Sequence, residues 1–65
     1  MRYEIRVEGH VSATLTEGFP ELDHVIMPGQ TLLYGPVIDD AHLYELLARF
    51  QSLGLRVMEM RQLPD

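Results

Sequence analysis

The sequence predicts an α+β domain of four strands and one strong helix, and three observations carry that prediction. Residues Arg2-Tyr3-Glu4-Ile5-Arg6-Val7-Glu8 alternate between charged or polar and apolar side chains, the period of a strand with one face on a core and one towards water. Pro28-Gly29 separates two strand-like runs; Pro presets φ at the first corner of a tight turn and Gly accepts positive φ at the second. Leu43, Leu46, Leu47, Phe50 and Leu53 recur at offsets 0, 3, 4, 7 and 10, which is one apolar stripe of an α-helix.

Strand one runs from about Tyr3 to His10, with Tyr3, Ile5 and Val7 on the core face and Arg2, Glu4, Arg6 and Glu8 opposite. Val11, Leu15 and Phe19 then recur every four residues, but Thr14, Thr16 and Gly18 form helix poorly and Pro20 stops whatever precedes it. This stretch reads as a short, weak helix near residues 12–18. Strand two spans Glu21 to Met27, with Leu22, His24 and Ile26 on the core face and Asp23, Val25 and Met27 on the other. His24 is expected to be partly buried and hydrogen-bonded. Strand three, Gln30 to Val37, completes a hairpin, with Leu32 and Tyr34 opposed to Thr31, Leu33 and Val37. Asp39 or Asp40 supplies the N-cap of the main helix and negative charge at its amino end. Glu45 and Arg49 form an i,i+4 pair in the favourable orientation, and Gly54 closes the helix as a left-handed residue. Strand four is Leu55 to Leu63, ended by Pro64, with Met58 and Met60 as core filler.

The 65 residues hold a single domain, residues 1–65. A chain of this size buries only about 60% of the surface its unfolded form exposes, so disulfides, a metal or self-association are the usual supplements. Cysteine is absent, which removes disulfides, thiolate metal sites and a Cys nucleophile together. Self-association is the expected route. Lys is absent too, so Schiff-base chemistry and a phosphate-loop lysine are excluded. A formal charge of −5 and five scattered Arg argue against a phosphate-backbone surface, so no nucleic-acid partner is expected. No apolar run reaches the ~20 residues of a membrane span, and the first residues are not a signal peptide. The expectation is a soluble cytoplasmic protein with no membrane partner and no cofactor.

The element order β-(short α)-β-β-α-β resembles a minimal ferredoxin-like split βαβ domain over the whole chain. The phrasing from Tyr3 to His10, Gly35-Pro36-Val37 and Leu53-Gly54-Leu55 also resembles short uncharacterised actinobacterial proteins, a likeness that implies no activity. The fold resemblance implies strand order 4-1-3-2 with both helices on one face. Glu59 and Arg61 then point outward beside Arg2, Glu4, Arg6 and Glu8, so charges of both signs meet across strands one and four. The other half of that open face would carry Val25, Met27, Leu32 and Tyr34, with Val57 nearby. Contiguous apolar side chains on a helix-free face make a patch suited to a partner.

A second constellation follows from taking strands one and three as parallel neighbours. Their carboxyl ends would share a rim carrying His10, Asp39, Asp40 and His42, a candidate site for a ligand or divalent cation. Gly9 and Gly35 would leave room there for a ligand beside the backbone. The simpler reading is that one Asp caps the helix and His42 is an ordinary first-turn residue, and no established metal-ligand spacing links the four. The leading functional expectation is thus a non-enzymatic interaction or assembly module that associates with itself through the apolar half-face. The alternative is a ligand- or metal-binding regulatory domain using the rim. A small enzyme resembling the dimeric α+β barrels ranks last, because a cavity of roughly 300–1,000 Å³ would consume most of so small a core.

Overall fold

The computed structural model describes residues 1–9, 12 and 17–64. Within them the strands are β1 (Arg2–Glu8), β2 (Asp23–Met27), β3 (Gln30–Pro36) and β4 (Val57–Leu63), with one helix, α1 (Asp40–Ser52), between β3 and β4. They form a small α+β fold with an open antiparallel sheet in the order β2-β3-β1-β4. That is the expected strand order counted from the other edge. The short helix expected near residues 12–18 falls largely outside the described residues. No helix among the described residues is long and apolar enough to cross a membrane.

The helix has the ends its sequence predicts. Asp39 is the N-cap, its Oδ1 accepting a 2.9 Å hydrogen bond from the His42 N–H, which satisfies one of the unpaired donors of the first turn. At the other end Gly54 has φ +73°. Its N–H donates to the Gln51 carbonyl, and the Leu55 N–H donates to the Phe50 carbonyl. These two bonds are the pair a Schellman termination requires.

The core lies between α1 and one face of the sheet. Ile5, Val7, Phe19, Leu22, Leu33, Val37, Leu43, Leu46 and Phe50 are all buried there. Phe19 stacks on Phe50 with ring centroids 4.5 Å apart. The parity expected for β1, β2 and β3 is the one observed: Ile5 pairs with Leu33, which pairs with His24. Thr31 is fully buried on this face and its hydroxyl donates to the Gly9 carbonyl.

Four expectations need correction. His24 is exposed, because β2 is an edge strand whose core-side row extends past the helix; Ile26 beside it is 52% exposed. Met58 and Met60 are 56% and 41% exposed, so they are not core filler, for the same reason at the β4 edge. Val57 is not on the open face. Arg6 pairs with Glu59 but Val7 with Val57, leaving Met58 as an extra residue in β4. This bulge shifts the parity by one, and Val57 packs against the core instead. Lastly, β1 and β3 are antiparallel, not parallel.

Candidate functional site

The antiparallel pairing of β1 with β3 decides the fate of the candidate rim. Glu8, at the end of β1, pairs with Gln30 at the start of β3, while Arg2 pairs with Pro36. The Gly9 N–H donates to the Gly29 carbonyl. The carboxyl ends of β1 and β3 therefore leave the sheet at opposite rims. Asp39, Asp40 and His42 follow β3 at one rim, and β1 ends at the other. His10 itself lies outside the described residues.

Along α1, from His42 in its first turn to Arg49 in its last, the structure gathers a different set. The Ile38 N–H donates to His42 Nδ1 at 3.0 Å, and His42 Nε2 lies 3.2 Å from Glu21 Oε2. A neutral ring with its proton on Nε2 satisfies both contacts. Arg49 donates to both oxygens of Glu21, at 3.1 and 3.2 Å, the paired geometry in which guanidinium and carboxylate interact best. It also donates to Glu45 at 3.0 Å and to the Gly18 carbonyl at 3.0 Å, and lies 5.6 Å from the Phe19 ring centroid. The Arg49 hydrogen bond, working against desolvation, holds the Glu21 carboxyl below its ordinary value. The same bond raises Arg49.

The hydrogen bonds of Glu21, His42 and Arg49 run to neighbours in the fold. Their effect is to fasten the segment from Gly18 to Leu22 against the helix. Gly35 belongs to the same arrangement: a Cβ there would stand 2.9 Å from the Glu21 carbonyl oxygen and 3.2 Å from the Leu22 side chain. The space beside Gly35 that reads in sequence as room for a ligand is filled by the chain itself, whereas a Cβ at Gly9 would meet nothing within 4 Å. Among the described residues no group of three or more His, Asp or Glu is placed to hold a metal ion. Glu21 is the member sequence reasoning missed. Only its tertiary position joins it to His42 and Arg49, and no local spacing signals that.

The open face is organised in rows across the sheet, read from the strand registers. One row is Asp23, Tyr34, Glu4 and Arg61; the next is Val25, Leu32, Arg6 and Glu59; the third is Met27, Gln30 and Glu8. On the β1–β4 side the charges answer one another. Arg61 donates to Glu4 at 2.9 Å, Arg6 lies 3.4 Å from Glu4 and 3.9 Å from Glu59, and Arg56 lies 3.8 Å from Glu8. Chiefly through the Arg61 bond, Glu4 is held below its ordinary value.

On the β2–β3 side Val25, Met27, Leu32 and Tyr34 stand together, with Val25 44% exposed and the other three half-buried. The sequence expectation for these four is the arrangement observed; only Val57 leaves the set.

No curated protein and no solved structure matches the chain. Residues 2–61 match the family described as Domain of unknown function (DUF8691), and because that span covers nearly all of the sequence, the chain belongs to this family.

Proposed function

We propose that this chain is a non-enzymatic, self-associating interaction module that meets a second copy through the apolar half of its open sheet face. The observation that carries the reading is the division of that face. Its charged half is internally paired, whereas no helix among the described residues lies over Val25, Met27, Leu32 and Tyr34. A short chain with nine buried apolar side chains among its described residues has a small core, and covering more apolar surface by association is the common remedy in the absence of disulfides. Two-fold packing would place the same patch of each copy on the other.

The ferredoxin-like reading is part of this proposal. It is supported by β1 and β2 both running antiparallel to the β3 between them, the strand arrangement of a split βαβ unit. The non-enzymatic reading draws support from the core. Ile5, Val7, Leu33, Leu46 and Phe50 are at most 1% exposed between helix and sheet, where a barrel-type enzyme would need its cavity.

Size-exclusion chromatography with light scattering tests the proposal. The wild-type chain is expected to elute above its monomer mass of 7.5 kDa, and Leu32→Glu to lower that mass with an unchanged circular dichroism spectrum. A folded Leu32→Glu chain with the wild-type oligomer mass would reject the open face as the contact.

A further inference from the structure

The two edges of the sheet differ in a way the open face does not explain. At the β4 edge, the bulge at Met58 and the charged Glu59 and Arg61 are devices that keep a strand edge from pairing with another chain. The β2 edge has no bulge, and its one charge is Asp23 at its first residue. It reads Asp23-His24-Val25-Ile26-Met27, uncharged after Asp23, regular in register along its whole length, and exposed at Val25 and Ile26 on its two faces.

The direction of its free backbone groups follows from the hairpin. Met27 pairs with Gln30 across the two-residue turn Pro28-Gly29, and Val25 pairs with Leu32. In an antiparallel hairpin with a two-residue turn, the flanking pair exchanges hydrogen bonds and alternate pairs beyond it do likewise. Met27, Val25 and Asp23 therefore direct their N–H and C=O groups at β3, and His24 and Ile26 direct theirs away from the sheet.

We infer that β2 pairs antiparallel with β2 of a second copy about a two-fold axis at Val25, joining two four-stranded sheets into one. In this register His24 of each copy lies opposite Ile26 of the other, the two residues whose backbone groups point outward. Four inter-chain backbone hydrogen bonds form. Val25 meets its own symmetry mate as the central non-hydrogen-bonded pair, and Asp23 lies opposite Met27. No like charges oppose one another directly, and opposed residues come from corresponding faces of the two sheets. An extended strand is the occupant that a row of outward N–H and C=O groups selects, and this strand is complementary to itself. The inference goes beyond the open-face reading and does not require it. Edge pairing aligns the two apolar half-faces side by side and leaves both uncovered for a further contact.

Amide hydrogen exchange read by NMR across a concentration series tests the pairing. Exchange at the His24 and Ile26 amides is expected to slow by about tenfold or more from low micromolar to millimolar chain. Exchange at Val25, already bonded within the hairpin, is expected to change far less. Ile26→Pro removes an outward donor without touching the bonds to β3, so it is expected to abolish the slowing at His24, and Leu32→Glu to preserve it. Concentration-independent exchange at His24 and Ile26 in the wild-type chain would overturn the inference, whether or not the proline variant folds. If His24 and Ile26 show the slowing while Leu32→Glu leaves the oligomer mass unchanged, the edge contact stands and the open-face reading fails.

Discussion

The junction between α1 and the Gly18–Leu22 segment and the apolar half of the open sheet face both gather side chains of functional type, but the fold treats them oppositely. At the junction, Glu21, His42 and Arg49 bond to one another and to backbone, so its polar chemistry is spent on holding the Gly18–Leu22 segment down. On the open face, Val25, Met27, Leu32 and Tyr34 hold nothing down. A residue's type therefore says less about function than whether its interactions are already satisfied inside the chain. The junction should respond to mutation through stability, and the face through association.

Phe50→Ala should give the largest effect. It empties a fully buried site and removes the ring on which Phe19 stacks, a change that costs about 3–5 kcal/mol in comparable cores. A chain of this length is stable by only ~3–10 kcal/mol, so chemical denaturation should show much or all of the folded population lost. Gly35→Val comes next, at about 1–3 kcal/mol, because its Cβ would stand 2.9 Å from the Glu21 carbonyl and must push that segment off the sheet. A thermal melt indistinguishable from wild type would mean the segment is not held where the structure puts it.

Arg49→Met keeps much of the aliphatic packing and removes the paired hydrogen bonds to Glu21. With the two side chains 31% and 28% exposed, solvent screening reduces the expected loss to about 1 kcal/mol. Acid probes the same contacts without mutation. Glu21 and Glu4 are both held below 4.5 in the folded chain, so just below that value the unfolded chain binds more protons than the folded one. Their contribution is then fully present above 4.5 and is lost as pH falls through their lowered folded values. Denaturation midpoints taken across that window should decline towards acid, and in Arg49→Met the decline should be shallower.

Val25→Glu should have the smallest effect on the single chain, within about 0.5 kcal/mol, since Val25 is already 44% exposed. Its consequence should appear only where copies meet. Stability measured at a dilution where the chain is monomeric should be unchanged, and a marked loss there would erase the contrast between the two regions.

Sequence patterning made most of the fold legible because the strongest signals were local. The alternation in β1, the Pro28-Gly29 turn and the stripe on α1 each needed only a few neighbouring residues. The open-face quartet followed once strand parity was right. What escaped depended on distant chain segments meeting. The bulge that turns Val57 inward exists only in the pairing of β4 with β1, and the filling of the space beside Gly35 by Glu21 and Leu22 has no local signature. The rim of His10, Asp39, Asp40 and His42 rested on a strand direction. Once β1 runs antiparallel to β3 the premise for grouping them disappears, and Asp39 and His42 are found capping and bracing the helix.

Sedimentation equilibrium of the wild-type chain across a wide concentration range addresses self-association most directly. The apparent mass should rise from that of one chain, 7.5 kDa, towards a whole-number multiple, with Leu32→Glu shifting the transition to higher concentration. A mass fixed at one chain throughout, in a sample that stays folded and soluble, would contradict it.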